Sequence, residues 1–146
     1  MNKPQLDNIY CSNKIKEVKK LLQYDWKTWT PQRGEIYLAD LGETLDSEQS
    51  GVRPVIIISN NIGNTKGNIV TVIPLTSKNK SLPVHVPIGI QYGLKNESYA
   101  LAEHIRAISK RRFFIQSNSP MLVGKVTTKK MMEIENAIKI EFAMTS

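Results

Sequence analysis

Cysteine occurs once, at Cys11, and histidine twice, at His85 and His104. A lone cysteine excludes an intramolecular disulfide and a thiolate metal cluster, and it fits a reducing cytoplasm. The two histidines stand nineteen residues apart, with no carboxylate pair at ligand spacing, so no metal site is expected. Neither belongs to a local Ser-His-Asp signature. A glycine-rich phosphate loop is missing, as is any βαβ alternation, which argues against a doubly wound nucleotide-binding fold. The longest apolar run, Val55 to Ile58, is far too short to cross a bilayer. Met1 to Asp7 lacks the apolar stretch of a secretory signal, so neither export nor membrane association is expected.

What is present is positive charge and short alternating segments. Twenty Lys and Arg against thirteen Asp and Glu leave a formal net charge of +7. A sequence pI near 9.5 points to a polyanionic partner, although a solvated basic face is an equally ordinary outcome. Lys14, Lys16, Lys19, Lys20 and Lys27 cluster before residue 30. Between them Ile15, Val18, Leu22 and Trp26 recur at helical spacing, which predicts an amphipathic helix from Asn13 to about Trp29. Its narrow apolar stripe suits packing on its own domain or an oligomer contact better than a membrane surface. Thr30-Pro31-Gln32-Arg33-Gly34 breaks it. Residues 1–32 therefore read as an extension to a domain spanning 33–146.

From Gly34 onward the period shortens towards 2. Glu35–Asp40 and Val52–Ser59 read as strands, the second buried on both faces, with a loop from Leu41 to Gly51 between them. Asn60 to Asn68 reads as a turn into a strand at Ile69–Pro74. Leu82–Ile88 suits an edge strand with His85 turned away from the core. Tyr99–Glu103 and His104–Ile108 read as one further strand or a bent pair, Arg112–Ile115 as a short segment, and Met121–Val126 as a strand that could close the sheet. Thr127 or Thr128 would cap a last helix with Met131, Ile134, Ile138 and Phe142 on one face. The expected fold is mainly β (α+β): a small SH3-like antiparallel barrel with a C-terminal helix and an added N-terminal amphipathic helix.

The candidate chemistry is polar. Arg53 precedes Pro54 and is pushed towards extended geometry, so its charge sits on a stiff mount where the loop enters the second strand. Glu48 shares that loop. Thr76 and Ser77 form a hydroxyl pair beside Lys78 and Lys80, a combination that suits phosphate.

Taken in order, Arg33-Gly34-Glu35-Ile36-Tyr37, Ser47-Glu48-Gln49-Ser50-Gly51-Val52-Arg53-Pro54-Val55 and Pro74-Leu75-Thr76 resemble the MazF/PemK family of type II toxin–antitoxin systems. Leu82-Pro83-Val84-His85-Val86 and Ala102-Glu103-His104-Ile105-Arg106-Ala107-Ile108 continue the resemblance, which covers about residues 33–144. It implies a homodimeric barrel that cleaves single-stranded RNA at short sequences without metal or other cofactor, restrained by a small acidic antitoxin. It also implies that Arg53 and Thr76 are catalytic, that Ser47, Glu48 and Gln49 gate the site, and that Glu103, His104, Ile105 and Arg106 contribute to the RNA groove. Gly51 and Ser77 join the substrate-binding candidates. His104 stands where many members of that family carry glutamine, and the first 32 residues are an addition to the family core.

RNA supplies its own nucleophile, the ribose 2′-hydroxyl. The protein must accept a proton, stabilise charge on phosphate and assist the leaving 5′-oxygen. Arg53 offers a forked donor set, Thr76 a further hydrogen bond, and Glu48 is the candidate base. Two competing readings are a CcdB-like toxin that binds a protein target and a barrel that holds nucleic acid without cutting it.

Overall fold

The computed structural model describes residues 24–78 and 81–145. Nine strands are described: β1 (Glu35–Asp40), β2 (Val52–Ile57), β3 (Ile69–Thr76), β4 (His85–Gly89), β5 (Ser98–Leu101), β6 (Arg106–Ser109), β7 (Ile115–Gln116), β8 (Ser119–Pro120) and β9 (Leu122–Lys125). Two helices accompany them, α1 (Asn61–Lys66) and α2 (Thr128–Glu141). The main sheet runs β4-β5-β3-β2-β1-β9, with β6 also on β3, and β7 and β8 pair separately. Every pairing is antiparallel.

β3 bends the sheet. Its first half pairs with β6 (Ile69 opposite Ser109, Val72 opposite Arg106), and its last two residues pair with β5 (Leu75 opposite Ala100, Thr76 opposite Tyr99). One strand thus serves two neighbours on the same side, and the sheet curls into a half-barrel. The mainly β reading and the C-terminal helix stand.

The centre of the sheet is covered on both faces, which explains the unbroken apolar run in β2. Ile56 joins Ile36, Ile73, Met131, Ile134 and Ala137 in one core cluster beneath α2. Val55 and Ile57 join Tyr37, Val72, Phe113, Trp26 and Trp29 in the other. Trp29 meets Tyr37 and Phe113 edge-on, with ring centroids 5.1 and 4.9 Å apart. Such contacts add to the large apolar area that aromatic rings bury.

Several segments differ from the sequence reading. Residues 13–23 of the expected N-terminal helix lie outside the described residues. Within them, Trp26–Thr28 forms only a single 3-10 turn, and Trp29 is already extended at φ −92° and ψ 123°. The Asp25 carboxylate accepts from Lys27 N at 3.1 Å and starts this turn, while Pro31 keeps its predecessor out of helical geometry. The segment after β2 is the short helix α1, because the Asn60 side chain caps Gly63 N at 2.8 Å. His104 closes a 3-10 turn, Ala102–His104, so β6 begins only at Arg106. Lys110–Arg112 forms another, and Phe113 makes a lone bridge to Ala39. Thr127 caps α2 through Lys130 N at 3.1 Å. Phe142 lies past the helix end and is 55% exposed, so it is not on the packed face.

Candidate functional site

The loop between β1 and β2 is a lobe with a pinned neck. Leu41 N donates to Gly51 O at 2.9 Å, and Gly51 N donates to Gly42 O at 3.0 Å. Gly51 sits at φ +72°, where a side chain is strained. Arg106 Nη1 adds a long 3.5 Å contact to Leu41 O at the same neck. Just beyond it Arg53 occupies the second position of β2, opposite Ala39. Its Nε donates to Ser50 O at 2.9 Å, which aligns the guanidinium with the lobe.

Thr76 is the last residue of β3 and is buried. Its Oγ1 accepts from Lys78 N at 3.2 Å, leaving the hydroxyl proton for another acceptor. β4 and β5 place His85 opposite Leu101, and the turn after β5 brings Glu103 back to His85. Glu103 Oε1 lies 2.5 Å from His85 Nε2 and 3.7 Å from His104 Nε2.

These pieces surround one cleft of about 230 Å³. The lobe contributes Ser47 and Gln49, β2 contributes Arg53, and the end of β3 contributes Thr76 and Lys78. His85, Leu101, Glu103 and His104 complete the wall. Of the residues singled out from sequence, Arg53, Thr76, Ser47, Gln49, Glu103 and His104 therefore meet in one place. Glu48 is exposed on the outside of the lobe, Ser77 is exposed beyond Thr76, and Gly51 and Arg106 sit at the neck; none of these lines the cleft.

Sequence reasoning passed over His85 and Lys78 as site residues. Alternation turns His85 away from the core, and it belongs to neither core cluster, yet it is buried at 7% exposure. It turns from the apolar core into the cleft, where Glu103 is its partner. Lys78, one of the lysines beside the phosphate-suited hydroxyl pair Thr76-Ser77, stands on the cleft wall itself. Gln49 Oε1, His85 Nδ1 and Glu103 Oε2 are buried without a hydrogen-bond partner in the protein. Unsatisfied buried polar atoms are rare and costly, and three on one cleft mark it as a place for a ligand.

The sequence profile of PemK-like, MazF-like toxins of type II toxin–antitoxin systems matches residues 32–142. The chain belongs to that family. It is 40% identical over 119 residues to the "Endoribonuclease MazF" of Staphylococcus saprophyticus, covering 77% of this chain and 92% of the relative. It is 37% identical over 119 residues to the "Endoribonuclease EndoA" of Bacillus subtilis, covering 77% and 95%. Among solved structures, a mycobacterial endoribonuclease in complex with its cognate antitoxin superposes with a TM-score of 0.65 at 27% identity, over 80% of this chain and 98% of that one. MazF from Deinococcus radiodurans superposes with a TM-score of 0.66 over 80% and 99%, a likeness of fold at 21% identity.

Proposed function

We propose that this chain cleaves single-stranded RNA at short sequences, without metal, by attack of the ribose 2′-hydroxyl on the adjacent phosphate. Endoribonuclease activity under the control of an antitoxin is the function of this protein as a member of its family. The observation that carries the chemistry is the meeting of Arg53 and Thr76, from the starts and ends of different strands, in one cleft.

Arg53 presents a planar, permanently charged fork suited to phosphate oxygens. As a reluctant proton donor, arginine acts by stabilising charge that builds on phosphorus oxygens in the transition state. Thr76 donates its free hydroxyl proton to the same phosphate. Ser47, Gln49 and Gly51 belong to the lobe that covers the substrate, and Glu103, His104 and Arg106 to the groove along which RNA runs. Ser77 supports the phosphate side.

The same reading treats residues 1–32 as an extension and 33–146 as an SH3-like barrel domain acting as a homodimer in the cytoplasm. A small acidic antitoxin would cover the groove, and the net charge of +7 suits such a partner. Among the described residues no helix is long and apolar enough to cross a membrane.

The test is cleavage of a long mixed-sequence RNA in chelator, with the ends mapped for wild type and Arg53→Ala. Site-specific cuts by wild type and a loss of at least about 10²-fold in the variant are expected. A fully active, folded Arg53→Ala protein would overturn the assignment. Binding without any cut would favour a non-catalytic barrel.

A further inference from the structure

The polar groups of the cleft fall into two sets. Arg53, Thr76 and Lys78 offer protons, and phosphate oxygens satisfy them. Gln49 Oε1 and Glu103 Oε2 are buried acceptors without partners, and phosphate oxygens cannot satisfy those. A ligand that fills the cleft must therefore bring a donor of its own next to its phosphate. In RNA, the ribose 2′-hydroxyl is the donor adjacent to the phosphate under attack.

Two carboxylates compete for that proton. Glu48 is exposed and off the cleft wall. Glu103 lines the cleft, with its side chain 24% exposed against a His85 side chain that is 1% exposed. The 2.5 Å contact assigns a proton to His85 Nε2, directed at Glu103 Oε1. One carboxylate oxygen is thereby held and the other, buried on the cleft wall, is left without a partner, the arrangement of a base oriented by a neighbour. Glu103 contacts His85 from β4 and lies near His104. Arg53 from β2 and Lys78 beyond β3 are the other charged groups lining the cleft, and α2, which carries Lys129, Lys130 and Glu133, packs against the turn that holds Glu103.

We propose that Glu103 accepts the 2′-hydroxyl proton during cleavage, with His85 as the positioning residue that fixes its carboxylate. The proposal rests on the 2′-hydroxyl reading given above. The ribose O2′–H bond breaks and its proton moves to Glu103 Oε2. A bond forms from O2′ to phosphorus and the bond from phosphorus to O5′ breaks. The departing O5′ takes a proton from water, and Glu103 later returns its own to solvent. The products are a 2′,3′-cyclic phosphate and a 5′-hydroxyl.

The experiment is single-turnover cleavage of an RNA oligonucleotide carrying one mapped site, using the full chain, across pH. Binding is read separately on the same oligonucleotide with 2′-deoxyribose at the scissile position. Glu103→Gln is expected to lower the rate constant about 10²- to 10⁴-fold, the range for loss of a positioned base, with affinity held within about threefold. It should also remove the acidic limb of the pH–rate profile. Glu48→Gln is expected to cost at least about tenfold less than Glu103→Gln. His85→Gln, which keeps an N–H towards Oε1, should retain more activity than His85→Ala. Glu103→Asp, which keeps the charge one methylene further back, gives a second arm: slow cleavage with the acidic limb kept.

An unchanged rate and profile in Glu103→Gln would overturn the proposal. So would cutting by Glu103→Gln at a different sequence with an undiminished rate, which would make Glu103 a reader of bases. Wild-type cleavage of the deoxy-substituted oligonucleotide would instead overturn the 2′-hydroxyl reading itself, so the two failures are distinguishable.

Discussion

The ammonium of Lys110 donates to the backbone carbonyl of Trp29 at 3.2 Å, across eighty-one positions of sequence. It also reaches Asn64 O at 2.6 Å, and the residue is only 2% exposed. Burial lowers the affinity of this amine for its proton, since desolvation disfavours the charged form. The group nevertheless ties together Trp29, α1 and the turn after β6.

Replacing it tests whether the tie matters. Lys110→Met keeps the apolar stem but leaves two buried carbonyls without their donor, at about 1–3 kcal/mol for each unsatisfied group. Relief of the desolvation cost offsets part of this. A net loss of about 2 kcal/mol is expected in urea unfolding, together with greater solvent access to Trp26 and Trp29 in fluorescence quenching. Unchanged stability and quenching would show that the tryptophans dock without Lys110.

Tyr37 gives a pH signature. Its hydroxyl donates to Glu35 Oε1 at 3.1 Å, and burial, the largest cause, pushes its pKa well above the ordinary value of 10.0. The folded state therefore keeps the phenol proton after the unfolded state has lost it. Stability from this group is complete below about pH 10 and declines as pH rises further. Tyr37→Phe removes the titration. The variant should be less stable than wild type by about 1 kcal/mol at pH 8, and the gap should narrow or reverse by pH 11, at up to about 1.4 kcal/mol per pH unit. Chemical unfolding at the two pH values measures it, and a constant gap would contradict the expectation.

How far the sequence carried depended on whether a feature was periodic. Strands β1, β2 and β3 were readable because their apolar residues repeat, and the run Val55–Ile57 signals burial on both faces. α1 was not, since Asn61 to Lys66 has no apolar face and rests on the Asn60 cap. The dual pairing of β3 is a property of the closed-up sheet rather than of any one segment. At the site, Arg53 and Thr76 were found by motif order. His85 was not, because period 2 tells only which side of a strand a residue takes. Its partner Glu103 lies eighteen residues on, across a hairpin. In the lobe, which lacks a regular period, nothing in the sequence tells that Gln49 lines the cleft while Glu48 faces solvent.

Lys78 should act as a phosphate contact without base preference. Its exposed ammonium lies on the rim of the cleft beside Thr76. Each such contact releases a counterion, so affinity for single-stranded RNA falls with salt by a log–log slope of about 0.7 per phosphate neutralised. Lys78→Ala is expected to weaken binding uniformly across sequences and to flatten that slope by about one contact. Fluorescence anisotropy of an uncleavable 2′-deoxy-substituted oligonucleotide, titrated from low to physiological salt, reads both. A slope equal to wild type would place Lys78 off the path of the RNA backbone.

Arg53→Lys separates charge from geometry. Arg53 spends its Nε on Ser50 O at 2.9 Å, leaving its two terminal nitrogens to face phosphate as a fork. Lysine preserves the charge but cannot hold the loop carbonyl and present paired donors at once. Electrostatic attraction for RNA should therefore survive, with affinity for the 2′-deoxy oligonucleotide within about fivefold of wild type. The single-turnover rate should still fall by about 10²-fold, close to the loss in Arg53→Ala. If lysine restored most of the rate, charge alone would account for the residue, and the bond that aligns it with Ser50 would matter only to the loop.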